Sequence, residues 1–485
     1  MTRNNIKHKN CLISAVGKNS LHKLWAKGTC NFDIHLIVYD DSIDMFRNDA
    51  DFICHIKGYK LKVIYRYLEA NPHFLDAYDY FFFPDDDIKM DAITINALFD
   101  TMRQYELKIA QPALSMSYST WAHTLKDRYY QLRYTSFVEM MVPCFSKEAL
   151  KTVLFTFNEN ETGWGTETHW PQLIQASPKD MAIIDGVSVV HTRPIQSGQN
   201  IHLCELATYL QKYKLTTVVD IYEAVPLQTA NMFCCSREAF WKISNTLFHW
   251  INCGKITTHF IGENGYFGYV HFLFLYAGIT QSQENADLAF EHLVKVQNKL
   301  GALLNDMSFD KGITGCLWLI EYLISEGFLE DNPDILLGRV NKYLLQYYQK
   351  HKDILTWSDL AGLGKFYLQA NNLEMINAIA PALQKCYRRP QSFDEINLVF
   401  DTLEILNACD ITIAEHIMDL KQCVNSIELS QVEHAYFLFR IYKLAHDEHV
   451  LLCIQKELNS LRPQLMDLAD ALRLAEMLYF NPMKK

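Results

Sequence analysis

Short apolar runs alternate with helical stretches up to about residue 200. Cys11 to Val16 reads as a strand turned by Gly17, and Asn19 or Ser20 caps a helix through Leu21, Leu24 and Trp25. Phe32 to Tyr39 and Phe52 to Ile56 read as strands, the first ending at Asp40-Asp41. A helix from about Lys60 to Glu69 stops before Pro72. Tyr78 to Phe83 is a strand of aromatics closed by Pro84 and three aspartates, and Ala92 to Tyr105 is helical. Phe137 to Val142 and Ile183 to Val190 complete the predicted strands. This order predicts an α/β domain built on a mainly parallel sheet.

Beyond about residue 200 the strand pattern stops and amphipathic stretches take over. They run Asp287–Leu304, Thr314–Ser325, Asp334–Gln349, Trp357–Leu368, Phe393–Leu406 and Gln431–Leu444. Each places Leu, Ile, Tyr or Phe three and four positions apart, the stripe of a helix buried on one face. Paired helices of this length predict an α/α toroid or solenoid, although no strict repeat period is visible. The expected division is 1–200 for the α/β domain, 201–250 for a connecting segment with a helix at Ile201 to Lys212, and 251–485 for the helical domain. The boundary falls between Ser197 and Ile251.

At 485 residues the chain is long enough for two or three domains, and 49% hydrophobic residues supply their cores. A net charge of -11 without a Lys/Arg cluster argues against nucleic acid as a partner. The 13 cysteines form no C-x-x-C pair, which excludes zinc ribbons and redox motifs and fits reduced thiols in a cytosolic protein. The vicinal Cys234-Cys235 reads as buried small residues. The apolar run after the polar start is too short for a signal peptide, and Tyr266 to Ile279, with His271 inside it, is too short to span a bilayer. The expected location is cytoplasmic, with peripheral membrane association open.

The sharpest chemical feature is Phe81-Phe82-Phe83-Pro84-Asp85-Asp86-Asp87. An apolar strand delivers three carboxylates to its carboxyl end, the edge where open α/β sheets bind ligands. Carboxylates are hard oxygen ligands for Mg²⁺ or Mn²⁺, and such an ion can bridge the phosphates of a nucleotide-sugar and stabilise the departing diphosphate. A solvated acidic turn capping the next helix is the plain alternative. A haloacid-dehalogenase-type phosphatase fits less well, because Ile88-Lys89 follows the acids and the strand is about the fourth.

Two further constellations lie downstream. Gly163-Trp164-Gly165-Thr166-Glu167 combines a permissive backbone with an indole face for a pyranose and an acid able to accept an acceptor hydroxyl's proton. A glycine-bounded turn with Trp164 in the core is its structural alternative. His191 ends a strand and is followed by Thr192 and Arg193; imidazole can join a metal shell and guanidinium can pair with phosphate. A lone histidine after a strand is more often structural, and it is the order of the three motifs that raises each.

Together these motifs resemble the GT-A class of glycosyltransferases, and more closely a family of glycosyltransferases without a settled substrate that carries a Pro-Asp-Asp-Asp motif. The matching pieces span about residues 11–195 and include Gly17, Asn19 and Ser20; Lys57-Gly58; Tyr78 to Asp87; Gln111 to Ser115; Phe137-Val138-Glu139; Gly163 to Gly165; and Val190 to Pro194. The resemblance implies a Rossmann-like fold, a nucleotide-sugar donor and Mn²⁺ or Mg²⁺. It implies metal ligation by Asp85, Asp87 and His191, and donor contacts from Asp86, Gly17, Asn19 and Arg193. Glu167 would be the catalytic base, giving inversion at the anomeric carbon, although one Thr intervenes before it. Trp164, Gly165 and Glu139 would line the side of the sugar or acceptor. The acceptor expected is a glycan, a lipid-linked molecule or a peptide.

The helical half resembles, more weakly, the α/α toroids of lanthionine synthetase C-like proteins. The resemblance rests on Phe309 to Trp318 and Asn264 to Gly268. Those enzymes hold zinc through an adjacent Cys-His pair, which the helical half lacks, the pair Cys54-His55 lying in the α/β half, so neither zinc nor lanthionine chemistry is expected. Cys316 reads as a packed helix residue and His446 to His449 as a solvated helix end. The helical domain is expected to recognise an acceptor or partner; the competing expectation is an inactive glycosyltransferase-like scaffold or peptide-binding protein.

Overall fold

The computed structural model describes residues 6–194, 200–227, 237–252, 266–297, 303, 306–309, 311–329, 333–445, 448–461 and 468–479. Cys234-Cys235, Asn264-Gly265, Ser197 and His446-Asp447 lie outside these residues. The chain divides into two compact units, Met1–Asn231 with Gln281–Gln283, and Met232–Thr280 with Glu284–Lys485.

The first unit is an α/β domain on one mixed sheet. Its strands are β1 (Asn10–Val16), β2 (Phe32–Val38), β3 (Phe52–His55), β4 (Tyr80–Phe82), β5 (Ile88–Lys89), β6 (Ile109–Leu114), β7 (Tyr130–Thr135), β8 (Cys144–Ser146), β9 (Met181–His191) and β10 (Ile221–Pro226). The order is β10-β7-β9-β6-β8-β4-β1-β2-β3, with β5 paired to the end of β9. β1 runs parallel to β2 and β4, β2 to β3, and β6 to β9. β8 is antiparallel to both β4 and β6, and β7 to both β9 and β10. Apart from β5, only β7 and β8 therefore run against the common direction.

Every residue of β1 and β2 is buried, the expected state of central strands covered on both faces. Alternate side chains divide between two cores. Cys11, Ile13, Ala15, Phe81 and Phe83 pack against the helix Lys60–Ala70 through Leu61, Ile64 and Leu68. Leu12, Val16 and Phe82 pack against the helix Ala92–Gln104 through Ile95, Leu98 and Phe99. Asp91 caps that second helix by accepting from the Thr94 amide. Across β7 and β9 the Arg133 guanidinium grips Asp185 with two 2.8 Å hydrogen bonds.

Two expectations are corrected. Phe137 to Val142 is a buried loop between β7 and β8, not a strand. Its polar backbone groups are satisfied by side chains: Gln111 Oε1 accepts from the Glu139 amide, and Lys60 donates to the carbonyls of Met140 and Met141. Strands also do not end at residue 200, because β10 extends the sheet at the β7 edge.

In the second unit, six helices form a closed ring: Tyr266–Thr280, Ile313–Ser325, Trp357–Gln369, Phe393–Ala408, Gln431–Ala445 and Leu468–Tyr479. Each packs on the next, and the last packs on the first. Helices Arg237–Asn252, Gln283–Gln297, Pro333–His351, Leu373–Cys386, Ala414–Cys423 and Glu448–Ser460 alternate with them in the chain. The unbroken apolar run Tyr266 to Ile279 belongs to a ring helix buried along almost its entire length. Gly362 allows close approach within the ring, since a Cβ there would stand 2.5 Å from Thr314 Oγ1. Among the described residues, no helix is long and apolar enough to cross a membrane.

Candidate active site at the carboxyl edge of the sheet

Because β1, β2, β4 and β9 share one direction, their carboxyl ends bring Gly17, Tyr39, the aspartate triplet and His191 to one edge. The β5–β9 pairing sets Ile88 opposite His191 and fixes the strand end beside Asp87.

The three aspartates have separate partners. Asp86 Oδ2 accepts from the Gly17 amide at 3.0 Å and from the Tyr39 hydroxyl at 2.9 Å, while Oδ1 accepts from Arg193 at 3.2 Å. Burial pushes its carboxyl up against these three lowering contacts. Arg193 also donates to the Asn19 carbonyl at 2.6 Å. The sequence-expected donor group of Asp86, Gly17, Asn19 and Arg193 is thus one hydrogen-bonded cluster. Gly17 is required by close approach: a Cβ there would stand 2.5 Å from the Tyr39 ring.

Asp87 Oδ2 lies 3.3 Å from His191 Nε2 and 3.9 Å from Arg193 Nε. Burial raises its carboxyl, but His191 and Arg193 outweigh burial and hold it below the usual range. The reciprocal balance holds His191 above its usual value: burial lowers it, and the Asp87 contact more than reverses this. His191 Nδ1 faces the Tyr118 carbonyl at 3.0 Å, and its amide donates to Ser117 Oγ at 2.9 Å, so the ring is oriented from both sides. Asp87 Oδ1 is buried and has no hydrogen-bond partner.

Asp85 reaches solvent more freely than its neighbours and pairs with Lys60 Nζ at 2.6 Å. Burial raises its carboxyl against the lowering effect of Lys60. Lys60 starts the helix after β3 and also donates to the carbonyls of Met140 and Met141, at 2.8 and 2.7 Å. Burial lowers the Lys60 ammonium's pKa, with Asp85 opposing.

Beside Asp85 lies a pair of buried acids. Glu139 is pushed up to about 8, by burial first and then by the charges of Glu167 and Asp85. Its Oε2 has no hydrogen-bond partner. Glu167 is pushed up to about 7 by burial, against a 3.1 Å hydrogen bond from the Gly165 amide. Interacting acids of this kind titrate as a pair near neutrality, the range in which a carboxylate can take and return a proton. Left-handed Gly163 (φ +85) and Gly165 (φ +93) shape the turn that sets Glu167 in the first turn of the helix Thr166–Leu173. The half-buried Trp164 ring stacks on His202 at 5.0 Å and 20°.

Asp85, Asp87 and His191 are the residues expected to ligate a cation. Among the described residues, no group of three or more His, Cys, Asp or Glu converges closely enough to hold a metal by itself. The orphaned Asp87 Oδ1 and the solvent-reachable Asp85 do fit the arrangement in which one or two carboxylates share a Mg²⁺-type ion with substrate phosphates. Lys60, Tyr39 and Gln111 went unrecognised in the sequence. Tyr39 stood at the end of a predicted strand and Gln111 in a piece that carries the family resemblance, but neither was assigned a role, and Lys60 carried no signal.

Residues 2–218 match the model of a family described as "Protein of unknown function (DUF707)". No curated protein matches the chain. Among solved structures, S. aureus TarS is similar at 8% identity and a TM-score of 0.27, over 38% of this chain and 37% of that one. S. aureus TarS 1-349 in complex with UDP-GlcNAc is similar at 9% identity and a TM-score of 0.27, over 86% of this chain and 91% of that one. The chain thus spans little more than a third of the first of these structures, and likenesses at such scores carry no weight for function.

Proposed function

We propose that the α/β unit is a metal-dependent glycosyltransferase that moves a sugar from a nucleotide-sugar to a glycan, lipid-linked or peptide acceptor. The observation that carries this reading is the convergence, at one sheet edge, of the aspartate triplet and the buried Glu139–Glu167 pair. In this reading Asp85, Asp87 and His191 would hold Mn²⁺ or Mg²⁺, which would supply positive charge for the departing diphosphate. Asp86, Gly17, Asn19 and Arg193 form the donor-side wall, and Arg193 supplies a cation for phosphate. Trp164 and Gly165 border the sugar. Glu167 takes the proton of the attacking hydroxyl, and its burial keeps its affinity for protons high near neutral pH. Displacement by a hydroxyl so activated inverts the anomeric carbon.

A second reading is supported by the same contacts: each aspartate already has a cationic or hydrogen-bonding partner, as in a self-satisfied scaffold. The deciding experiment follows the melting temperature of the full chain with UDP, GDP, CDP and their sugars, with and without Mn²⁺. A Mn²⁺-dependent rise with one nucleotide supports the transferase, because a ligand that binds only the folded state stabilises it. A folded sample that responds to none of them supports the scaffold.

A further inference from the structure

The ring of the second unit encloses a cavity of about 880 Å³, within the size range of small-molecule sites. All six ring helices contribute to its wall. A ring closed only for stability would be expected to fill its centre with apolar side chains. This one presents aromatic faces and paired charges. Trp318 and Tyr322 are stacked at 5.0 Å and 13°, both only partly buried, and both line the cavity. Against them stands an ionic lattice: Asp401 lies 3.2 Å from Lys365 and 2.8 Å from Arg440, and Arg440 lies 3.2 Å from Glu404.

The wall also carries unspent hydrogen-bonding capacity. His271 is 3% exposed, and its Nε2 has no hydrogen-bond partner. Its ring is wedged edge-on against Trp318 and Tyr322, and burial lowers it to about 4, so it is neutral at ordinary pH. Arg440 is 5% exposed, and its Nε is unpartnered. Asn397 Oδ1 is a buried atom without a hydrogen-bond partner, and Glu404 Oε1 is held only by its ion pair with Arg440. Buried polar atoms are normally satisfied, so three residues with an unpartnered atom around one cavity, His271, Arg440 and Asn397, point to a ligand that both donates and accepts.

We propose that the cavity enclosed by the helical ring is a saccharide-binding site, with Trp318 and Tyr322 as the stacking platform and Asn397, Glu404, Arg440 and His271 as hydroxyl partners. Sugar hydroxyls each donate and accept, which matches acceptors (Asn397, Glu404) interleaved with a donor (Arg440). The C–H face of a pyranose suits a flat aromatic surface. Lys365 and Arg440 are countered by Asp401 and Glu404 within the wall, so these groups do not call for a strongly charged ligand. This site belongs to the helical unit alone and stands whether or not the α/β unit transfers sugar.

The test titrates the full chain, by calorimetry, with neutral gluco-, xylo-, manno-, galacto- and chito-oligosaccharides. Saturable binding of at least one series is expected. Asn397→Ala and Glu404→Gln should each weaken it tenfold or more, while Asp87→Ala in the other unit should leave it unchanged. Trp318→Phe, which keeps an aromatic face and the packing, should weaken it less than Trp318→Ala. Absence of binding across the panel by a folded protein would overturn the assignment. So would affinity indifferent to Asn397→Ala and Glu404→Gln, or occupation of the cavity by extended peptides but by none of the sugars.

Discussion

Lys60 Nζ lies 2.6 Å from Asp85 Oδ1, so an internal ammonium occupies the place beside the triplet where a divalent cation would be sought. If the ion shares Asp85, the two cations compete for one carboxylate. Lys60→Met should lower the melting temperature without divalent ions, at a cost of about 1–3 kcal/mol, because it leaves Asp85 unpaired. Mn²⁺ should then restore part of the loss. Thermal denaturation with and without Mn²⁺ checks this, and an equal loss in both would detach Lys60 from cation binding.

The double variant Asp85→Ala with Asp87→Ala should abolish cation-dependent nucleotide binding. Asp87→Asn alone should also loosen His191, whose raised pKa rests on that contact. Calorimetric titration of the nucleotide selected by the thermal panel is the readout. Unchanged affinity in the double variant would reject the metal assignment.

Glu167→Gln should lower kcat by roughly 10²–10⁴-fold, the usual contribution of a positioned base, with donor affinity retained. A base must be ionised, so the wild-type rate should rise with pH through about 7 to 8, where Glu167 and Glu139 titrate as a pair. A flat profile across that range, or near-normal turnover in Glu167→Gln, would remove Glu167 from the chemistry. A product of retained configuration would remove inversion.

The same acids affect stability with a definite sign. A carboxyl whose folded pKa is raised holds its proton in the folded state after the unfolded chain has lost it. Its contribution is complete below about 4.5 and declines as pH rises towards about 8 for Glu139, at roughly 1.4 kcal/mol per pH unit. Glu139→Gln should therefore be more stable relative to wild type at pH 8.5 than at pH 5.5, as measured by urea midpoints.

His35 and His271 have the opposite sign at acid pH. Burial lowers them to about 3 and about 4, so the unfolded chain gains protons that the folded chain refuses. Each withdraws roughly 1.4 kcal/mol per pH unit as pH falls below about 6.5. His271→Phe should flatten the acid limb of the stability profile, and an unchanged slope would contradict the assignment.

The sequence revealed the parts of this protein whose cause is local. β1 and β4 were readable as short, mainly apolar runs and β2 by its alternation, the imprint of strands buried in the centre of the sheet. The acids after β4 stood out because three in a row close a run of aromatics. β7, whose sequence mixes Tyr, Gln, Leu and Arg, carried no such run. Phe137 to Val142 did carry one, yet it is a core-filling loop, since burial and extended pairing leave the same apolar imprint. Lys60 resembled any surface lysine, because only the fold brings it to Asp85. The ring was anticipated as an α/α toroid or solenoid, but the helix pattern itself did not choose closure over an open stack. The contact of Tyr266–Thr280 with Leu468–Tyr479 joins residues far apart in the chain, and the periodicity of neither helix announces it.

That closing contact also bears on how the helical unit assembles. An open stack of repeats can grow one unit at a time and tolerates trimming at its end. A ring cannot: Tyr266–Thr280 leaves the ribosome early, with its apolar flank uncovered, and waits for Leu468–Tyr479 to be synthesised before it is sealed. During that interval the nascent chain exposes an unusually greasy helix, and loss of the last helix should cost the whole ring rather than one sixth of it.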